Sequence, residues 1–315
     1  MQAVILGCGY LGRRVAVLWR SQGHDVSALT RSSDHAVRLR ALGIEPLLGD
    51  VLDRASLQSL PSADVVLYAV GYDKQAGVAK REVYVQGLEN VLREIAPRVG
   101  RFLYVSSTSV YGQDGGEWID ETSPSVPSTE DGQICLAAEQ TVWRFFPLDT
   151  PVESSGGTGS PGAPGPVPPT ANVSGRGAIV LRFSGIYGPG RLLRRIESVR
   201  NREPIRANPD GFLNLIHVDD GARIVAAIAE RGRLGATYLV TDNRPVRRRE
   251  YYTLLAQLVG ALPPIFQADA ADAGRLNKRC SNARLRGELG DLFQFPTVEA
   301  GLPDAITNGL ALPPA

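Results

Sequence analysis

The stretch Ala3-Val4-Ile5-Leu6-Gly7-Cys8-Gly9-Tyr10-Leu11-Gly12 decides the fold. Four apolar residues in a row read as a short buried strand, and the glycine-spaced turn after them opens an amphipathic segment, Leu11–Ser21. Each glycine has its own physical task. Gly7 permits a tight turn, Gly9 lets backbone approach a pyrophosphate, and Gly12 allows close helix–strand contact. Phosphates would then sit on free N–H groups at the helix N-terminus. Gly7, Cys8, Gly9, Tyr10, Leu11 and Gly12 are therefore the expected pyrophosphate loop of a dinucleotide site.

Outward from this loop, short apolar runs alternate with helical patterns. Val26–Leu29, Glu45–Leu48, Val65–Val70 and Phe102–Ser106 read as further parallel strands, with Gly177–Arg182 extending the sheet. Between them, Ser33–Leu42, Arg54–Leu60 and Val83–Ile95 read as helices, and Leu136–Phe145 as another. Such alternation predicts an α/β protein, a Rossmann-type doubly wound parallel sheet with right-handed crossovers. Residues 1–182 form the expected dinucleotide-binding domain. Residues 183–315 are expected to complete the sheet and form a smaller C-terminal cap lobe, with helices near Gly221–Arg231 and Arg249–Val259. Pro151–Thr170 is mostly Pro, Gly and Ser and reads as a disordered surface insertion.

The end of the second strand carries the choice between cofactors. A carboxylate there would hold a ribose 2′-hydroxyl and repel a 2′-phosphate. The chain instead has Thr30-Arg31-Ser32, whose donors suit a 2′-phosphate, so NADP is expected, with NAD as the alternative. Asp50, followed by Val51, is placed to accept from the adenine amino group. Ala69-Val70-Gly71 would pass close to the ribose and phosphates with small side chains.

Composition narrows the class. A formal charge of +1 over 315 residues argues against a general nucleic-acid binder. Cys8, Cys135 and Cys280 are widely spaced and odd in number, which predicts free thiols in a reducing compartment and no metal site. The N-terminus starts directly on the first strand and does not read as a signal peptide. No apolar run approaches a membrane span. The expectation is a cytoplasmic protein acting on a small-molecule substrate, with no nucleic-acid or membrane partner; the sequence does not specify an oligomeric state.

Three further stretches carry a resemblance: Tyr104-Val105-Ser106-Ser107-Thr108-Ser109-Val110-Tyr111-Gly112, Leu181-Arg182-Phe183-Ser184-Gly185-Ile186-Tyr187-Gly188-Pro189-Gly190, and Ile216-His217-Val218-Asp219-Asp220. With the glycine loop, they make the chain similar to the extended short-chain dehydrogenase/reductases, the NAD-dependent epimerase/dehydratase superfamily. The resemblance implies that Ser107 takes the place of the family's catalytic serine or threonine, with Ser106 and Ser107 against the cofactor. It also implies that Phe183, Ser184, Gly185 and Ile186 line the nicotinamide pocket. Tyr111 and Tyr187 are candidates for a phenol near the nicotinamide.

The family's Tyr-x-x-x-Lys pair is missing. Asp131 and Cys135 stand at those places in Asp131-Gly132-Gln133-Ile134-Cys135, and Lys74, Lys80 and Lys278 are all remote in sequence. The chain thus resembles the atypical branch that lacks the pair, and no lysine is expected near this helix. Asp131 and Cys135 share a helix face at i, i+4. An aspartate is a poor acid at neutral pH, and a neighbouring carboxylate disfavours a thiolate. They are expected to be helix surface near the cofactor. His217 reads as a hydrogen-bonded core histidine, and His24 and His35 as surface residues. Lys278 and Arg279 form a basic pair suited to an anionic substrate group. Two functions remain open: an NADP(H)-dependent oxidoreductase or epimerase of a small polar or nucleotide-linked substrate, and a non-catalytic nicotinamide-dinucleotide sensor that binds a partner.

Overall fold

A computed structural model describes residues 1–147, 175–267 and 277–310. The Pro/Gly/Ser-rich stretch 151–170 lies outside them. Strands β1 (Gln2–Leu6), β2 (Asp25–Thr30), β3 (Glu45–Leu48), β4 (Ala63–Tyr68) and β5 (Val99–Ser107) alternate with helices α1 (Tyr10–Ser21), α2 (Ser33–Ala41) and α3 (Gly87–Ile95). After the short β6 (Trp118–Ile119) come α4 (Glu130–Phe145), β7 (Gly177–Phe183), β8 (Gly185–Tyr187) and α5 (Leu193–Arg200). The chain continues through β9 (Phe212–Leu213), β10 (Leu215–His217), α6 (Val218–Arg231), β11 (Thr237–Val240), β12 (Val246–Arg247) and α7 (Arg248–Leu258). It closes with β13 (Arg279–Cys280), α8 (Ala283–Leu289) and α9 (Val298–Leu310).

Seven strands form one parallel sheet in the order β11-β7-β5-β4-β1-β2-β3. The order in which the chain adds strands reverses between β1 and β4, which opens a crevice at their carboxyl ends. Period-two alternation splits the strands between two cores. Ala3, Ile5, Leu103, Ile179 and Leu181 face α1, α6 and α8. Val4, Leu6, Phe102, Ala178 and Val180 face α3 and α4. Both faces are apolar because both are covered, as a parallel sheet requires. A separate C-terminal cluster packs Ile196, Tyr251, Leu255 and Leu302 from α5, α7 and α9.

Two expected helices change character. Arg54–Leu60 is only a 3-10 turn, Arg54–Leu57, because the Asp53 and Ser56 side chains satisfy the local backbone. The helix expected over Val83–Ile95 enters through a π turn, Glu82–Gln86, before α3 begins.

Three short pairings frame the sheet's carboxyl edge. β8 runs parallel to β10, β9 antiparallel to β12, and β6 parallel to β13. The last of these ties the 278–280 segment to the chain that follows Tyr111.

Candidate functional site

A cavity of about 780 Å³ lies across the crevice between β1 and β4. One end is built by the first glycine loop. Gly7 has φ +93°, and a Cβ there would collide with the Ala69–Val70 backbone. A Cβ on Gly12 would overlap the Gly7 carbonyl, so both positions are sterically closed to other residues. Gly9 differs: a Cβ there would meet nothing within 4 Å, and the same is true of Gly71 across the crevice. The backbone is therefore bare toward the cavity. The first turn of α1 carries no acidic residue, which leaves its positive end free for an anion. Tyr10 lies between the guanidinium groups of Arg14 and Arg191, 4.4 and 4.3 Å from its ring centroid, and donates to the Pro189 carbonyl at 3.0 Å.

Thr30, Arg31, Ser32 and His35 line the far end together with Asp50 and Val51. Thr30 Oγ1 lies 3.1 Å from His35 Nδ1, while Ser32 caps α2 by accepting from the His35 N–H at 3.3 Å. Arg31 is exposed, and its guanidinium stays 3.8 Å from an Asp50 carboxylate oxygen, so it can turn to another anion.

Opposite, β5 ends at Ser107. Its Oγ accepts from the Ser109 N–H at 3.1 Å and so starts the 3-10 turn Thr108–Val110. Thr129 caps α4 in the same way through the Gly132 N–H at 3.2 Å. Gly132 packs so tightly on the Ser109 carbonyl that a Cβ would overlap it. This contact brings Asp131 and Cys135 to the cavity wall beside Ser107 and Ser109.

Behind Ser107 lies a buried polar network. The Ser106 hydroxyl donates to Glu139 at 2.5 Å, and Arg182 forks onto the same carboxylate at 3.0 and 2.7 Å. Arg182 also donates to the Tyr111 hydroxyl at 2.6 Å. A smaller cavity of about 240 Å³ adjoins Ser107 on its other side, lined by Ser184, Gly185, Asn214 and Lys278. The Lys278 ammonium is buried and donates to the Tyr111 carbonyl, and burial pulls its pKa down to about 8.

Residues 3–145 match the NAD dependent epimerase/dehydratase family. Among curated proteins, YeeZ of Escherichia coli K12 is 26% identical over 94% of this chain and 96% of its own length. A 4-hydroxy-2-methyl-3-oxo-4-farnesyl-3,4-dihydroquinoline-1-oxide ketoreductase of Stigmatella aurantiaca is 28% identical over 85% of this chain and 77% of its own. A solved structure of a conserved protein of unknown function from Silicibacter pomeroyi DSS superposes with TM-score 0.72 at 25% identity, covering 97% and 98% of the two chains. Over residues 3–145 the chain is therefore similar to the NAD-dependent epimerase/dehydratase family, within the extended short-chain dehydrogenase/reductase superfamily. The bare backbone at Gly9 and Gly71 and the helix start free of acidic residues fit that family's nicotinamide dinucleotide.

Within the large cavity the structure brings together Gly7, Cys8, Gly9, Tyr10, Leu11, Thr30, Arg31, Ser32, Asp50, Val51, Ala69, Val70, Gly71, Ser106, Ser107 and Ile186. Several expected residues lie elsewhere. Tyr111 is fully buried, its hydroxyl turned to Arg182, and burial pushes its phenol up to about 12. Tyr187 is packed against Gly301 and the His217 ring, its hydroxyl without a hydrogen-bond partner among the described residues. Neither phenol faces the large cavity. Phe183 packs on Gly221 in the core, and Ser184 donates to the Val240 carbonyl; Ser184 and Gly185 line the smaller cavity. Arg279 does not join Lys278. It donates to the Gly116 carbonyl and stacks on Trp118 and Phe212.

His217 is wholly buried, with Nδ1 accepting from the Asp219 N–H at the start of α6. His35, expected on the surface, is half-buried and lines the cavity. So do Arg191, Lys80 and Tyr84, which sequence reasoning passed over. The expectation that no lysine approaches α4 is overturned: Lys80 Nζ lies 2.8 Å from Asp131 Oδ1.

Proposed function

We propose that this protein is an NADP(H)-dependent oxidoreductase that reduces a carbonyl group, or oxidises the corresponding alcohol, on a small polar substrate. The observation that carries this reading is the position of Ser107, which lines both the dinucleotide cavity and the adjoining smaller one. A substrate in the smaller cavity would present its reacting oxygen to the Ser107 hydroxyl at the shared wall. The ketoreductase named above, similar over most of its length, supports the same reaction class.

Gly7–Gly12 would hold the pyrophosphate on the backbone, and Arg191 stands at the mouth as a further cation. Thr30, Arg31, Ser32 and His35 would surround the adenosine ribose, where their donors favour a 2′-phosphate. Asp50 and Val51 would meet the adenine. When bound, the nicotinamide supplies or accepts hydride at the Ser107 end. Ser107 then polarises the substrate oxygen by donating its hydroxyl proton in a hydrogen bond. Lys278, a buried ammonium facing the smaller cavity with no carboxylate partner among the described residues, suits a substrate carrying a carboxylate or phosphate.

Calorimetric titration with NADPH and NADH tests the cofactor, and NADPH is expected to bind more tightly. Equal affinity would remove the NADP assignment. Tight binding of either without turnover across a panel of carbonyl compounds would remove the oxidoreductase.

A further inference from the structure

We infer that Lys80 and Tyr84, on the turn entering α3, form the proton-transfer pair of this cleft, and that Asp131 positions the lysine. The inference rests on the oxidoreductase reading. Lys80 Nζ lies 2.8 Å from Asp131 Oδ1 and 5.2 Å from the centroid of the Tyr84 ring. All three side chains line the large cavity with Ser107 and Ser109. Lys80 and Tyr84 are four residues apart, and Tyr84 sits in the π turn Glu82–Gln86. Such turns cost helix geometry and recur at functional sites.

Stability does not explain the arrangement. The Asp131 side chain is 68% exposed and that of Lys80 21%. A solvated pair of this kind contributes only about 0–1 kcal/mol. What the pair does is hold an ammonium over an aromatic ring inside a cavity. The charges facing Tyr84 come from three elements: Lys80 on its own turn, and Asp131 and Cys135 from α4, with the Tyr72 backbone N–H from the loop after β4. Burial raises the Tyr84 phenol, and Lys80 is the largest influence pulling it back.

The other phenols on the cavity are committed. Tyr68 and Tyr104 are packed into the sheet core, and Tyr10 donates to Pro189. Cys135 is no substitute, because burial pushes its thiol up despite Ser109 and Lys80. Lys80 itself is a poor acid: burial lowers it, but the hydrogen bond and charge of Asp131 more than offset that and leave it raised. In the reducing direction the Tyr84 O–H bond breaks and its proton forms the new O–H bond on the substrate oxygen. The hydride for carbon comes from the reduced nicotinamide dinucleotide. The phenolate left behind is held by the Lys80 charge until water reprotonates it. Oxidation reverses each transfer.

The first test needs no cofactor. Tyr84 is titrated by NMR in protein carrying ¹³Cζ-tyrosine, with Tyr84→Phe assigning its signal among the 10 tyrosines. Lys80→Met should move the Tyr84 titration to higher pH, and Asp131→Asn, by releasing the lysine from the ring, should move it the same way, with Asp131→Glu restoring it. A Tyr84 titration unmoved by Lys80→Met overturns the pair, whatever the cofactor does. The second test follows NADPH oxidation with 4-carboxybenzaldehyde, a small carbonyl compound carrying a carboxylate, as the probe. Tyr84→Phe should lower kcat by roughly 10²- to 10⁴-fold while NADPH affinity holds. Wild-type turnover that survives Tyr84→Phe overturns the pair and leaves the oxidoreductase standing. Failure of the wild type to bind NADPH removes the oxidoreductase and the pair's role together.

Discussion

Replacing Arg182 by methionine strips the cation from the Ser106–Glu139–Arg182–Tyr111 network and leaves a carboxylate buried without its counter-charge. Glu139 is 2% exposed and Arg182 8%, so water cannot take over. Three hydrogen bonds of 2.6–3.0 Å are lost in one step. Breaking one side of a buried, hydrogen-bonded ion pair costs about 3–5 kcal/mol. An unfolding entropy of about 2.1 cal/mol/K per residue gives roughly 0.66 kcal/mol/K for the 315-residue chain, hence a fall in Tm of about 5–8 °C. The double variant Glu139→Leu/Arg182→Met removes both charges and should recover most of that loss, because well-packed apolar replacements of buried pairs are often neutral. Calorimetry on wild type, both single variants and the double variant measures the cycle. A single Arg182→Met variant melting within about 1 °C of wild type would refute the reasoning. So would a double variant less stable than either single one.

Three further outcomes follow from the site. Arg31→Ala should weaken NADPH by roughly 10- to 150-fold, the worth of one charge-assisted hydrogen bond, and leave NADH nearly unchanged in the same calorimetric titration. Ser107→Ala should lower kcat about 10²- to 10³-fold with 4-carboxybenzaldehyde and NADPH, as expected for one donor to a developing oxyanion, with little change in NADPH affinity. Lys278 holds its proton less firmly folded, at about 8, than an unfolded lysine near 10.4. The unfolded chain therefore binds the extra proton between those values, and this residue's contribution to stability rises as pH climbs through that window. Lys278→Met should abolish that rise in thermal melts, and a carboxylate-bearing probe should bind the wild type less tightly above pH about 8.

The sheet and the glycine loop were legible because their determinants are local. Apolar runs bounded by turns fix β1 to β5 and β7, and the tasks of Gly7 and Gly12 follow from steric contacts within one strand–turn–helix unit. The nicotinamide side was read less well, for geometric reasons. Ser107 caps a 3-10 turn over Thr108–Val110, and that turn carries Tyr111 inward to Arg182 instead of along the cavity wall. Lys278 directly precedes Arg279, the first residue of β13, and successive side chains along a strand point to opposite sides. One therefore enters the smaller cavity while the other stacks on Trp118 and Phe212, so adjacency in sequence argued for a clamp that strand geometry forbids.

Lys80 is the harder case. Nothing in Ala79-Lys80-Arg81 distinguishes it from a surface cation, and its approach to Asp131 depends on how α4 seats against the Ser109 turn. That seating depends in turn on Gly132, where any side chain would overlap the Ser109 carbonyl. Gly132, between Asp131 and Cys135, thus sets the distance at which a lysine from another element can reach the same wall. Gly132→Ala should push α4 away from that turn and part Lys80 from Asp131. Tyr84 should then titrate as in Lys80→Met, even though neither member of the pair has been touched. A Tyr84 titration unchanged by Gly132→Ala would mean that Lys80 finds the ring without help from α4, and the positioning role of Asp131 would fall with it.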